Sequence, residues 1–195
     1  MGEFPSLEVH SRVAQKDATT FTANLTESFS VGTVPNGGFI TAIFLRAANA
    51  YLASRNQPDT FAAHWQFLNA AYVGPVVLIV EEVRRGRGLS VVHITLYQEG
   101  LTSQSPWISA NSKKKAAAYI TNTSLETERG LTLATGFELS APPPPADLTK
   151  LAVDEDPNWE RLFMVFMGAV PMSQYLEFHV PKSNNQNPAS LDIWL

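Results

Sequence analysis

The stretch TVPNGGFITAIFLRAANAYL, residues 33–52, decides the fold of this 195-residue chain. Its first part is typical of a tight turn, because proline presets φ while asparagine and glycine tolerate the left-handed backbone region. The residues that follow, from about 39 to 52, predict a helix in which only Thr41, Arg46 and Asn49 are polar. A helix that is apolar on almost every side is expected inside a protein, surrounded by other elements. We therefore predict a fully enclosed helix.

Strand patterns lie on both sides of this helix, since β-branched and aromatic residues alternate with polar ones between turn-forming residues. The predicted strands cover residues 18–31, 60–73, 75–85, 89–100 and 116–122. The third and fourth flank Gly86-Arg87-Gly88 and form the two arms of a long hairpin. Residues 101–115, rich in serine and lysine, are predicted to form an exposed loop. The order predicts an α+β fold, a curled antiparallel sheet around a central helix.

The sequence changes character after the predicted last strand. Four consecutive prolines, residues 142–145, favour a stiff extended conformation. We therefore predict a first domain at 1–123, a Pro-rich linker at 124–157 and an incomplete second domain at 158–195. Within that last segment, residues 175–180 and 189–195 have strand patterns, and the segment begins to repeat the strand pattern of the first domain.

Composition excludes several classes of function. The chain has 14 basic and 18 acidic residues, a net charge of −4, and no long basic run, so nucleic acid is not an expected partner. Cysteine is absent, and the four histidines lack metal-ligand spacing, so neither a metal site nor a cofactor is predicted. Neither a secretory signal pattern nor an apolar run of about 18 residues is present, so no membrane span and a cytoplasmic location are expected.

The combination of these motifs resembles a known family. A strand, then Pro-Asn-Gly-Gly opening a buried helix, a strand ending in Gly-Pro-Val, and a hairpin with Arg-Gly-Arg at its tip and Gln-Glu-Gly at its far end are similar to the acyl-CoA thioesterase-like proteins. The resemblance covers roughly residues 18–122 and, more weakly, 158–195. It implies the hotdog fold, usually present as two fused hotdog domains, and an acyl thioester hydrolase that holds the acyl chain between helix and sheet.

The resemblance also suggests which residues act. The unpaired N–H groups and partial positive charge of a helix N-terminus are suited to a thioester oxyanion, and Gly37 and Gly38 are the candidates for that role. The alternative is that both glycines only form the turn and allow close packing. His64, on the following strand, is the polar group expected to face the turn as a catalytic candidate. Asn36, Thr41 and Gln66 are candidates for substrate binding.

Hydrolysis also needs a base, and the predicted helix carries no carboxylate or histidine. In the double-hotdog thioesterases the catalytic Asp, Thr and Gln are generally supplied by the second domain, and this chain is expected to end before the helix of that domain. Two alternatives therefore stay open: a noncatalytic acyl-binding or dimerisation module, and a dehydratase-like enzyme that uses His64. In each case the expected partners are acyl-CoA or another acyl thioester and, because unpaired strand edges favour association, a second copy of the chain.

Overall fold

The computed structural model of the chain describes residues 6–131, 133–138, 143–163, 176–182 and 193. The chain divides into two compact units, Met1–Gly130 and Leu131–Leu195. The helices and strands described in the first unit are α1 (Leu7–His10), β1 (Ala14–Gln15), β2 (Thr20–Leu25), β3 (Ser30–Val31), β4 (Val34–Pro35), α2 (Gly37–Leu52), β5 (Asp59–Phe67), β6 (Gly74–Arg84), β7 (Ser90–Gln98) and β8 (Lys113–Thr123).

The main sheet of the first unit is antiparallel throughout. Its described strands lie in the order β1-β2-β6-β7-β8-β5, and β3 and β4 form a separate pair. Strands β6 and β7 are the arms of the predicted hairpin, with Gly86-Arg87-Gly88 at the turn. The predicted α+β fold is therefore confirmed. Two predicted strands are shorter than expected: the strand predicted at 18–31 is interrupted between β2 and β3, and β5 ends at Phe67, so residues 68–73 connect it to β6.

Helix α2 lies against the concave face of this sheet. The side that it turns to the sheet is almost completely buried and comprises Phe39, Ile40, Ile43, Phe44, Ala47, Ala48 and Leu52. From the sheet, alternate residues such as Leu78, Ile94 and Ile120 complete the same core, each with no exposed surface. The two-residue period of the strands and the 3.6-residue period of the helix thus meet in one apolar layer.

The expectation that the helix is enclosed on every side is wrong. Residues on its other flank are half-buried, among them Thr41, Leu45 and Arg46, and Ala50 is exposed. A sheet that curves around one side of a helix cannot also cover the opposite side. Ala42 and Ala50 lie on that flank, and the small apolar side chain of an alanine does not require burial.

A buried network of amide side chains fixes the second half of the helix. Asn122, with no exposed surface, donates from Nδ2 to Asn49 Oδ1 at 2.9 Å and to the Gln57 carbonyl at 3.1 Å. Gln57 in turn donates to the carbonyl of Gly86 at 3.1 Å, at the tip of the hairpin. These bonds connect helix, β8 and hairpin, because a buried amide is stable only when it is paired.

The loop predicted at residues 101–115 is shorter than predicted, because β8 begins at Lys113. Most of the loop is exposed, but contacts of Trp107, near its middle, hold it in place. The Trp107 indole donates to Asp17 Oδ2 at 2.7 Å, and the Lys16 ammonium lies 5.9 Å from the centre of the same ring. Leu101 and Ile108 also form an isolated antiparallel bridge. The loop therefore contacts the turn between β1 and β2 through specific interactions.

In the second unit the described elements are α3 (Leu148–Leu151), β9 (Trp159–Arg161) and β10 (His179–Pro181), and β9 pairs with β10. The Asp156 carboxylate is buried and accepts hydrogen bonds from the backbone amides of Asp147, Asn158 and Trp159. These bonds, that of Asp147 first, lower the pKa of Asp156. The proposed linker and domain boundaries stay a prediction, and the predicted strand at 189–195 lies outside the described residues except for Ile193.

We predict that the buried side of α2 determines stability. Ile43→Ala should lower the free energy of unfolding by about 2–5 kcal/mol, because it leaves a cavity in a closely packed layer. Leu45→Ala, on the half-buried flank, is the control and should cost clearly less. Urea unfolding followed by circular dichroism measures both variants. Equal losses would show that the two sides of the helix are packed equally well.

Candidate active site at the start of helix α2

A cavity of about 420 Å³ lies where α2 begins. Its lining residues come from β4, α2, the end of β5, the 68–71 segment, β7 and β8: Val34, Pro35, Gly37, Ile40, Phe67, Leu68, Asn69, Ala70, Ala71, Leu96, Lys115 and Ala116. Most of these side chains are apolar, and the polar ones belong to Asn69 and Lys115. A concave apolar space with few polar groups is the usual form of a site for a small apolar ligand.

Gly37 and Gly38 differ in what their backbone amides contact. Gly37 lines the cavity, and its amide has no hydrogen-bond acceptor among the described residues. The amide of Gly38 instead donates to Asn36 Oδ1 at 2.7 Å, so Asn36 caps the helix. Of the two predicted oxyanion donors, the Gly37 amide is therefore available at the cavity, while the Gly38 amide is already paired.

Thr41 and Asn36 use their predicted binding groups within the helix. The Thr41 hydroxyl donates to the Gly38 carbonyl at 2.8 Å, and Asn36 Oδ1 serves as the cap. Neither residue lines the cavity. Asn36 satisfies an amide of the first turn that would otherwise lack a partner, and Thr41 adds a second donor to a carbonyl of the same turn.

The structure does not bring His64 or Gln66 to the turn that begins the helix. Ala63 and Trp65, their neighbours on β5, pack against the core, so His64 and Gln66 point to the other face of the sheet. Both are exposed. The prediction that His64 faces the turn is wrong in this respect, because its position in the alternation of the strand was not known from the sequence.

On the outer face, His64 belongs to a row of cross-strand neighbours. It pairs with Tyr119, whose ring centre lies 4.8 Å from that of His93, and His93 Nδ1 lies 3.3 Å from Glu81 Oε2. Pairing of opposite residues on one face explains these contacts as ordinary sheet stabilisation. The row is separated from the cavity by the sheet itself.

Lys115 is a charged residue of the cavity lining that the sequence prediction missed. In the pairing of β7 with β8, Ala116 faces Leu96 and Lys114 faces Tyr97, so Lys115 is the extra residue of a bulge. It is only 4% exposed, and its ammonium donates to Glu99 Oε1 at 2.7 Å. The three lysines at 113–115 are predicted from the sequence to lie in an exposed loop, and only the bulge shows that one of them is buried.

Gln98 holds the segment that closes the cavity. Its Nε2 donates to the Tyr72 carbonyl at 2.8 Å, and its Oε1 accepts from the Tyr72 amide at 3.0 Å. Gln98 is 6% exposed although it is a polar residue at the far end of the hairpin. It follows Leu96 by two positions, so the alternation of β7 turns it to the inner face, where a buried amide needs two partners.

Within the described part of the chain, no cluster of histidine, aspartate and glutamate has the geometry of a metal site. No described helix is long and apolar enough to cross a membrane. Of the carboxylates of the described residues, none lines the cavity at the start of α2. The cavity therefore combines an apolar lining with one available backbone donor and one buried ammonium.

Comparison with known proteins identifies the family. Residues 25–123 match the acyl-CoA thioesterase N-terminal domain. The chain is 35% identical over 195 residues to a thioesterase-like protein, TwmA, of Talaromyces wortmannii. The match covers 95% of this chain and 55% of that protein. The chain belongs to the acyl-CoA thioesterase-like family.

Solved structures show the same fold. A conserved protein of unknown function with a hot dog fold from Alicyclobacillus acidocaldarius superimposes with a TM-score of 0.60 at 18% identity, covering 90% of this chain and 54% of that one. The tesB protein of Mycobacterium avium subs paratuberculosis gives a TM-score of 0.54 at 15% identity, with 94% and 62% covered. The fold is the hotdog fold, and the chain spans between half and two thirds of the length of these relatives.

We predict that the Lys115–Glu99 pair makes stability depend on pH in the acid range. The hydrogen bond from Lys115 lowers the pKa of the Glu99 carboxyl below its usual value. Its contribution to folding is therefore complete above the pKa of the unfolded carboxyl and is lost as the pH falls through the lower pKa of the folded state. Thermal unfolding from about pH 7 to about pH 3, a range that brackets carboxyl pKa values, measures this dependence.

Glu99→Gln should lower the melting temperature at neutral pH and reduce the acid dependence, because the buried ammonium loses its charged partner. The exposed Glu126, which has no ion-pair partner among the described residues, provides the matched control Glu126→Gln. If both variants follow the wild-type pH profile, the pair does not contribute to stability.

Proposed function

We propose that this protein is an acyl thioester hydrolase that acts on acyl-CoA or a related acyl thioester. The observation that carries the proposal is the apolar cavity of about 420 Å³ at the start of α2, with Gly37 in its lining. The acyl chain would occupy the cavity between helix and sheet. Membership of the acyl-CoA thioesterase-like family supports the same reaction.

In this proposal the helix terminus stabilises the developing charge. Water adds to the thioester carbonyl, the oxygen becomes an oxyanion that accepts from the Gly37 amide, and the C–S bond then breaks to release a carboxylic acid and a thiol. One such donor contributes about 3–4 kcal/mol to the transition state in enzymes where it has been removed. The amide gains further from the partial positive charge of the helix N-terminus.

The described part of this unit does not supply a base to activate the water. No described carboxylate or histidine lines the cavity, and the chain spans 55% of the length of TwmA. We propose that the base comes from a second hotdog domain, either in a longer chain or in another subunit. This arrangement would place the acid–base residues opposite the Gly37 amide.

The second candidate is a noncatalytic acyl-binding or dimerisation module. The pairing of the Gly38 amide with Asn36 and the absence of a carboxylate from the described cavity lining favour it. A dehydratase-like reaction is less well supported, because His64 lies on the other face of the sheet. Binding of acyl-CoA without release of thiol distinguishes the module from the hydrolase.

We also propose that two copies of the chain associate through β5. This nine-residue strand is the edge of the main sheet among the described residues, whereas the opposite edge, β1, has two residues. Phe61 on β5 is 65% exposed and Phe67 is 50% exposed. A long edge with exposed aromatic side chains favours pairing with another strand. With CoA thioesters as substrates, we further propose a cytoplasmic location and a role in lipid metabolism.

The acyl cavity is tested by filling it. Ala70 is exposed and lines the cavity, so Ala70→Trp should fold and should lower kcat/KM for acyl-CoA by about tenfold or more, equivalent to about 1.4 kcal/mol. The control Val83→Trp places the same side chain at an exposed position of β6, outside the cavity lining and away from the proposed β5 interface. Release of thiol from acyl-CoA of several chain lengths, followed with a thiol reagent, is the measurement. Binding of acyl-CoA without turnover by the wild-type protein would contradict hydrolysis by this chain and favour the noncatalytic module.

Association is tested by light scattering. The wild-type chain should have the mass of a dimer, and Phe61→Lys should shift it to the monomer by placing a charge on the edge strand. Val83→Lys introduces the same charge at another exposed apolar position, on β6, and should leave the dimer intact. A monomeric wild-type protein at all concentrations tested would contradict the proposal.

A further inference from the structure

A second cavity, of about 290 Å³, lies on the flank of α2 that the sheet does not cover. Its lining residues are Arg12, Val13, Arg46, Asn49 and Ala50. Arg46 follows Gly37 by nine residues, which is about two and a half turns of helix and about 14 Å along its axis. This cavity therefore opens on the opposite side of the helix from Gly37 and is separate from the acyl cavity.

The polar side chains of this cavity present hydrogen-bond donors. Arg46 Nε donates to Ser11 Oγ at 2.8 Å, and Ser11, only 1% exposed, holds that guanidinium in place. The terminal NH₂ groups of Arg46 have no acceptor among the described residues. A guanidinium fixed at Nε keeps this fork of donors oriented for a ligand.

Asn49 is oriented by its oxygen. Its Oδ1 accepts from Asn122 Nδ2 at 2.9 Å and from Thr60 Oγ1 at 3.4 Å. The amide oxygen is therefore engaged on the core side, and the NH₂ group is the part of the side chain that remains for another partner. Asn49 thus adds a donor to those of the two arginines.

The positive charges of the cavity are not neutralised by close carboxylates. The ion pair of Arg12 with Glu8 has a separation of 4.0 Å between side chains that are 67% and 72% exposed, so it is weak. Arg46 has no ion-pair partner among the described residues. Two guanidinium groups and an amide NH₂ therefore line one cavity in a chain whose net charge is −4.

We propose that this cavity binds a phosphate group. A guanidinium binds the oxygens of an oxyanion through two parallel hydrogen bonds, and a phosphate offers three acceptor oxygens to the three donor groups. A carboxylate, with two oxygens, would leave one of these groups without an acceptor. The phosphate is either free inorganic phosphate or the phosphate of a larger ligand such as a coenzyme A thiol.

The experiment measures binding by isothermal titration calorimetry with three probes: inorganic phosphate, CoA, and dephospho-CoA, which lacks the 3′-phosphate. Ionic strength is held constant with chloride. Arg46→Gln and Arg12→Gln should each weaken phosphate binding by about tenfold or more, because each removes charge-assisted hydrogen bonds. The matched control Arg87→Gln removes the same charge at the exposed tip of the hairpin and should bind as the wild type does.

The probes separate the two sources of phosphate. If CoA binds more tightly than dephospho-CoA, and Arg46→Gln weakens the binding of CoA, the site is assigned to the 3′-phosphate of CoA. If only inorganic phosphate binds, the site is assigned to the free ion. No binding of any probe by the folded wild-type protein would overturn the proposal, as would wild-type affinity in both Arg46→Gln and Arg12→Gln. Thermal unfolding shows whether each variant is folded. Because Arg12 is largely exposed, Arg12→Gln leaves the hydrogen bond between Arg46 and Ser11 intact.

The result is independent of hydrolysis. No acyl group and no turnover enter the titration, so an inactive protein can still show the phosphate site. Ala70→Trp, which fills the acyl cavity, should leave phosphate binding unchanged. Loss of phosphate binding in that variant would mean that the two cavities are not separate.

Discussion

Packing of one side of α2 against the concave face of the sheet is the interaction on which the rest of the structure depends. Phe44 and Ile43 on the helix and Leu78 and Ile94 on the sheet have no exposed surface. Each such side chain contributes about 1.5–3 kcal/mol when it is fully buried. This layer fixes the position of the helix along the sheet, and therefore also the position of its first amide groups and of its uncovered flank.

The two candidate sites lie where this packing ends. At the start of α2 the core opens into an apolar cavity whose wall is held by the bonds of Gln98 to Tyr72 and of Lys115 to Glu99. A buried ammonium is costly, and it is stabilised here by the carboxylate and by the Tyr72 ring, whose centre lies 4.9 Å away. On the uncovered flank, the same helix presents an arginine and an asparagine to a second, polar cavity.

The two cavities lie at different surfaces of α2, one at its N-terminus and one on its uncovered flank. The helix terminus provides the Gly37 amide, unpaired among the described residues, beside an apolar space, which suits a thioester, while the exposed flank provides cationic side chains, which suit an anion. The hotdog fold alone does not decide the reaction, since one fold supports several chemistries. What supports hydrolysis here is the combination of an apolar cavity, the amide of Gly37 and membership of the thioesterase-like family.

The sequence by itself determined the helix, predicted from about 39 to 52 and found at Gly37–Leu52, the antiparallel strands and the hairpin, because periodicity and turn residues act over short distances. It also named Gly37, which lines the candidate cavity, while the catalytic role of this residue stays a prediction. Only the tertiary structure decided which face of β5 carries His64, that Lys115 is buried at a bulge, and that one flank of the helix is uncovered. Those features depend on strand register and on contacts between distant segments, which a local pattern does not contain.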